Sequence, residues 1–245
     1  MKKIICYGDS NTFGYNPKDG SRFDENIRWT SLLQKNLGAE YVVINEGICD
    51  RTGFVNNPKG ELFSAPKHFP EFITKSGNID LLILWIGTND LQFLYNISLS
   101  TIERGLENLI KLAKTKAKKI LIISPVILNE NILKGAFNYQ FDNESINKSK
   151  NVGKIYKRFA DLYNCKFFDI NTIVNPSDID GLHYNSKSHR IIANNLSEFI
   201  TLEIDKIPTE LKEQFYPQDV DSTAPMANRD YHTVYYGEIV QAYIL

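Results

Sequence analysis

The stretch "KIICYGDSN", residues 3–11, decides how the rest of the chain is read. Its first five residues form a mostly apolar, β-prone run. Gly8, Asp9, Ser10 and Asn11 then stand together, followed by Thr12 and Gly14. A turn from a strand into a helix accounts for them, because Gly adopts positive φ freely while Asp, Ser and Asn bond back to neighbouring backbone and cap helices. The other reading makes Ser10 a nucleophile held at the end of a buried strand.

Four more runs of the same kind follow: "EYVVIN" (40–45), "DLLILWI" (80–86), "KKILIIS" (118–124) and "CKFFDI" (165–170). Most are continuously apolar, the mark of strands buried on both faces. Between them lie segments with helical spacing. Residues 29–37 place Trp29, Leu32, Leu33 and Leu37 on one face, ended by Gly38. Residues 98–116 align Ile102, Leu106, Leu109, Ile110 and Ala113, with Ser98 or Ser100 as N-cap. Residues 147–163 and 186–204 read as two further helices. Strands alternating with helices predict an α/β fold with right-handed crossovers. Its expected form is a three-layer α/β/α sandwich on a flavodoxin-like, five-stranded parallel sheet of order 2-1-3-4-5. In such sheets ligands bind beyond the carboxyl ends of the strands, beside strand one.

The five-strand plan uses residues 1–204 as one domain and leaves 205–245 as a C-terminal extension. Residues 207–230 hold three prolines and many charges and read as an extended arm. Residues 231–245, "YHTVYYGEIVQAYIL", are β-prone and predict a strand that packs on the domain or on a neighbouring subunit, so a homo-oligomer is one expectation.

The chain has 245 residues, 42% of them hydrophobic and 23% charged, with 28 basic against 29 acidic side chains. That near balance argues against a nucleic-acid or membrane-surface partner. The longest apolar run, "LLILWIG", is too short to span a bilayer. The opening "MKK" imitates a secretion signal, but "GDSN" replaces any small-residue cleavage site, so the first strand belongs to the fold. Cys6, Cys49 and Cys165 lack paired spacing, which predicts neither disulfides nor a metal site and fits a cytoplasmic setting.

The predicted strand ends carry "GDSN", "NEGICDRT" (45–52), "GTND" (87–90), "SPVILNENI" (124–132) and, beyond the fifth, "DIDGLHYN" (178–185). A hydrolytic serine needs a base, and His183 is the candidate because imidazole titrates near neutrality. The base needs an acceptor, and Asp180 stands three residues earlier; Asp178 also precedes it, at a less suitable offset. A developing oxyanion needs fixed donors, for which the Ser10 amide, the Gly47 amide and the Asn89 side chain are available. Each has a plainer reading. Gly47 suits a turn, Asn89 and Asp90 suit helix caps, and a lone histidine is usually a surface or packed residue. His68, His189 and His232 are read in that last way. A binding module whose "GDSNT" loop cradles a phosphate or flavin is the non-enzymatic alternative, and it gives Asn89, Asp180 and His183 no task.

These blocks, in this order, resemble the SGNH hydrolases, also called GDSL esterases and lipases. "GDSN" resembles the nucleophile block, Gly47 of "NEG" the second, "GTND" the third and "DGLHYN" the acid–base block, over residues 3 to about 200. The resemblance implies Ser10 as nucleophile, His183 as base and Asp180 as its partner. It implies an oxyanion hole of the Ser10 amide, Gly47 amide and Asn89 side chain, with no metal or organic cofactor. "YGDSNTFGY", "NEG", "RT" and "GTNDL" look most like the small arylesterase and acetyl-ester hydrolase branch, some of whose members transfer acyl groups to alcohols and form oligomers. The implied substrate is a small ester of short to medium acyl chain, with Tyr15, Phe54, Phe93, Tyr95 and Ile127 as expected liners. Two departures stand out. Asn11 replaces a Leu, and Cys49–Asp50 stand where many members have a small residue and Gly. The second alters the pocket rim, and Cys49 is read as a bystander thiol.

Overall fold

A computed structural model describes residues 1–206, so all of the expected arm and tail beyond Lys206, with His232, lies outside the described residues. The chain divides into two units, Met1–Leu196 and Ser197–Leu245. In the first, five parallel strands pair in the order β2-β1-β3-β4-β5, as the pattern of apolar runs predicts. They are β1 (Lys2–Gly8), β2 (Tyr41–Gly47), β3 (Ile79–Trp85), β4 (Ala117–Ile123) and β5 (Lys166–Phe168). Gly8, the last residue of β1, stands opposite Gly47 on one side and Trp85 on the other. The chain leaving β1 therefore emerges between two sheet neighbours at the switch point.

Among the described residues six α-helices surround the sheet: α1 (Ser10–Phe13), α2 (Trp29–Leu37), α3 (Ala65–Lys75), α4 (Leu99–Ala113), α5 (Asn143–Leu162) and α6 (Ser186–Phe199). α2 ends at Gly38 with φ 74°, and Ser98 caps α4 by accepting the Thr101 N–H. α4 buries Ile102, Leu106, Leu109, Ile110 and Ala113, the predicted stripe. α5 starts earlier than periodicity suggests because Asp142 and Ser145 form a reciprocal capping box. The sequence reading leaves out α3, whose prolines argue against a helix. Pro66 sits where an N–H needs no partner, and Ala65, Phe69 and Ile73 supply the buried face. Beyond α6 the backbone widens into a π turn over Ile200–Ile204, where the Asp205 N–H reaches the Ile200 carbonyl. Among the described residues no helix is long and apolar enough to cross a membrane.

Leu82, Ile83, Leu84, Leu121 and Ile122 are almost wholly enclosed between the helical layers. Each such side chain contributes about 1.5–3 kcal/mol of burial. Into this apolar frame the chain also buries Arg51. Its guanidinium donates to the carbonyls of Gly8, Glu46 and Leu62 and lies 4.2 Å over the Tyr7 ring. A cation bonded to the carboxyl ends of two adjacent strands, at Gly8 and Glu46, holds those ends together.

Candidate active site

The turn after β1 is built around small residues. A Cβ on Gly8 would lie 2.1 Å from the Thr12 hydroxyl and 2.3 Å from the Trp85 carbonyl oxygen, so only glycine fits. Asp9 caps α1 by accepting the Asn11 N–H at 3.1 Å, and Gly14, at φ 91°, ends that helix after one turn. Burial pushes the Asp9 carboxyl up to about 7, against the lowering effects of the Asn11 N–H and the Arg51 charge. The segment is thus a capped turn, and it projects Ser10 from the first position of a helix.

The loop before α6 supplies the partner. Its ends are closed by the Ser177 N–H on the His183 carbonyl and the Gly181 N–H on the Ser177 carbonyl, with Gly181 at φ 69°. Asp180 Oδ1 accepts the N–H groups of Leu182 and His183, both at 3.0 Å, which aims Oδ2 at the imidazole. Oδ2 lies 2.7 Å from His183 Nδ1, and His183 Nε2 lies 2.8 Å from Ser10 Oγ. Asn11 ties the two loops together through the Leu182 carbonyl. Burial raises the Asp180 carboxyl, but the hydrogen bond and charge of His183 outweigh it and hold the group below its ordinary value. An ionised Asp180 keeps the proton on Nδ1 and leaves Nε2 to accept from the hydroxyl. Asp178 is exposed and only grazes the Asn131 amide at 3.5 Å, so the geometry selects Asp180 between the two.

Around Ser10 Oγ the donors differ from expectation in one respect. The Ser10 N–H meets no acceptor among the described residues. Asn89 spends one amide hydrogen on the Arg51 carbonyl at 3.1 Å and keeps the other, while its oxygen accepts from Gln92. The Gly47 N–H, however, donates to its neighbour's side chain, Asn45 Oδ1, at 3.0 Å. Gly47 is glycine for space: a Cβ there would sit 2.1 Å from the Phe13 nitrogen. Three residues on, Asp50 is held in the left-handed region at φ 62°, and its N–H meets no acceptor among the described residues.

Asp90 is a structural participant that sequence reasoning left as a helix cap. It is fully buried, and its carboxylate accepts the consecutive N–H groups of Gly53, Phe54 and Val55 at 2.5, 2.8 and 3.1 Å. Burial pushes its carboxyl up to about 7, opposed by those three bonds. Its position beside Asn89 in "GTND" was the available signal. Cys49 has its thiol pushed up to about 12, first by burial and then by the charges of Asp50 and Asp9, which leaves it protonated and poorly nucleophilic.

Of the expected liners, Tyr15 stands against the imidazole, ring centroids 4.1 Å apart. Phe54 has its ring buried against Gly105 and Gly87, and it meets Tyr156 edge-on. Phe93 is half exposed on the loop after β3, Tyr95 lies two residues beyond it, and Ile127 is fixed on the other side by its N–H to Asn171. Phe137, absent from the sequence reading, is the second ring at His183, at 5.2 Å. It lies in an irregular loop with no periodic pattern to single it out. Among the described residues no group of three or more His, Cys, Asp or Glu is arranged to hold a metal ion.

The family model for the GDSL-like lipase/acylhydrolase family matches residues 6–191. The chain belongs to that family. It is accordingly a carboxylic ester hydrolase, and the matched span holds Ser10, Asn89, Asp180 and His183. Among solved structures, an aryl esterase of M. smegmatis is 27% identical, covering 82% of this chain and 99% of its own, with a TM-score of 0.76. Est24, a carbohydrate acetylesterase from Sinorhizobium meliloti, is 25% identical with coverages of 82% and 99% and a TM-score of 0.75. A second carbohydrate acetylesterase family member from Sinorhizobium meliloti is 28% identical, with coverages of 82% and 98% and a TM-score of 0.76. Comparison with curated proteins finds no match.

Proposed function

We propose that the protein is a serine esterase that cleaves short- to medium-chain carboxylic esters, acetyl esters among them, through an acyl-enzyme on Ser10. The observation that carries this reading is the unbroken chain from Asp180 Oδ2 through both ring nitrogens of His183 to Ser10 Oγ. His183 Nε2 takes the hydroxyl proton as Oγ attacks the ester carbonyl. The oxyanion is received by the Ser10 N–H and the free Asn89 amide hydrogen. The imidazolium returns its proton to the leaving alcohol. Water, deprotonated by the same nitrogen, then releases the acid and restores Ser10. The choice of small esters is supported by the aryl esterase and carbohydrate acetylesterase among similar structures and by the aromatic rings at His183.

A fluorophosphonate probe, followed by mass spectrometry, tests the nucleophile. Adduct on Ser10 and loss of p-nitrophenyl acetate cleavage in Ser10→Ala are expected. Adduct elsewhere, or undiminished cleavage, overturns the assignment. Added alcohol competes with water for the same acyl-enzyme, so product analysis in its presence measures transfer against hydrolysis.

A further inference from the structure

We propose that the rings of Tyr15 and Phe137 hold the protonated form of the His183 imidazole during turnover, Tyr15 supplying the main face and Phe137 a second. The inference rests on the proposed role of His183 as base. Tyr15 is fixed directly beside the nucleophile: its N–H donates to the Ser10 carbonyl at 3.0 Å, and it bridges to Arg22 across the following loop. Its ring lies 4.1 Å from the imidazole centroid, tilted with planes 31° apart. Phe137 approaches at 5.2 Å and 57°, and the two aromatic rings meet each other edge-on at 6.1 Å.

His183 is 2% exposed, so an imidazolium formed there has lost its hydration. Asp180 compensates at Nδ1 and Ser10 Oγ lies at Nε2, but neither reaches the faces of the ring. The negative face of an aromatic ring attracts a cation within about 6 Å, and more strongly where water is excluded. The other ionisable groups facing His183 do not supply this. From α6, His189 bears on it electrostatically, but burial pushes that imidazole down to about 3 and leaves it neutral. The Tyr15 phenol is raised by burial and by the Asp180 charge and is neutral too. The proton moves from Ser10 Oγ to His183 Nε2 and later to the leaving alcohol, and the rings act only while it resides on the imidazole.

The test follows the His183 ring by NMR in protein carrying 13C at histidine Cε1, with His183→Asn identifying its signal. Tyr15→Leu removes the main face and destabilises the cation, so the titration midpoint falls by about half to one and a half pH units. Phe137→Leu gives a smaller fall, and Tyr15→Phe, which keeps the ring, leaves the midpoint in place. The acid limb of kcat/KM moves in the same direction. Pentafluorophenylalanine at position 137 keeps the ring's shape while reversing the charge of its face; it also lowers the midpoint, which packing alone would not do, and it serves where a leucine variant fails to fold. A midpoint that stays put or rises in Tyr15→Leu, Phe137→Leu or the pentafluorophenylalanine protein overturns the proposal. Because the NMR reading needs no turnover, a protein that cleaves no ester would sink the proposed function while this question is still answered.

Discussion

Asn89 donates its side-chain amide to the Arg51 carbonyl across 3.1 Å, tying the loop after β3 to the loop after β2. The same bond leaves one amide hydrogen for the oxyanion in the proposed mechanism. Asn89→Ala deletes that donor while leaving Ser10, His183 and Asp180 as they are. Turnover of p-nitrophenyl acetate is expected to fall about 100- to 1,000-fold. KM changes far less, because the lost interaction forms in the transition state. Steady-state kinetics on a variant of near-native melting temperature is the check, and a loss below tenfold would remove Asn89 from the oxyanion hole.

Asp90 acts one step further out. Three consecutive N–H groups converge on its carboxylate, and the loop they belong to follows directly on Arg51 and Asp50. In Asp90→Asn an amide NH2 replaces one acceptor oxygen and opposes at least one of those donors, at about 1–3 kcal/mol. The variant is expected to melt several degrees lower and to lose at least tenfold in kcat as the loop shifts. Urea unfolding and kinetics measured on the same sample test both parts.

Gly47 separates a steric role from a conformational one. Gly47→Ala drives a methyl to 2.1 Å from the Phe13 nitrogen, so the strand end and α1 must move apart. Gly38→Ala meets nothing within 4 Å but must hold φ 74°. Strain of the second kind costs about 1 kcal/mol, whereas forcing atoms into a packed backbone costs about 1–3 kcal/mol and displaces the turn that carries Ser10 as well. Calorimetry is therefore expected to rank Gly47→Ala well below Gly38→Ala in melting temperature, with ester cleavage impaired only in the former.

His189 sets an acid limit on stability. Its Nδ1 accepts the Trp29 N–H at 3.2 Å in the interior, and burial, followed by the His183 charge, lowers it to about 3. The unfolded chain takes up that proton near 6.5, so between about 6.5 and 3 the unfolded state binds more protons than the folded one. Stability from this group is complete above pH 6.5 and is lost as the pH falls. His189→Asn keeps an acceptor for Trp29 without a titrating ring. Unfolding free energies at pH 4, 5, 6 and 7 should then show a shallower slope than in the unsubstituted protein; equal slopes would refute the assignment.

The fold was largely legible in the sequence because strands covered on both faces must be apolar throughout, and those runs alternate with amphipathic segments. α2 and α4 were readable from spacing, Gly38 and Ser98. α3 was not, because its two prolines oppose helix locally while the burial of Phe69 and Ile73 favours it only once the sheet exists. Phe54 shows the same limit: the packing of a loop aromatic over Gly105 cannot be read from its local sequence.

By itself the sequence determined which chemical groups stand at the ends of which strands: Ser10, Asn89, Asp180 and His183 follow from residue type and order. Only the tertiary structure decided which of these groups touch and which atoms are already spent. Asp180 prevails over Asp178 because the Ser177–His183 turn points it inward. The Gly47 N–H is taken by the Asn45 side chain, and the His183 imidazole is flanked by Tyr15 and Phe137, both distant from it in the sequence. The physical reason is that strand and helix signals are local and additive along the chain. Hydrogen-bond allocation and ring stacking depend on distances of a few tenths of an ångström between segments that meet only after the sheet has assembled.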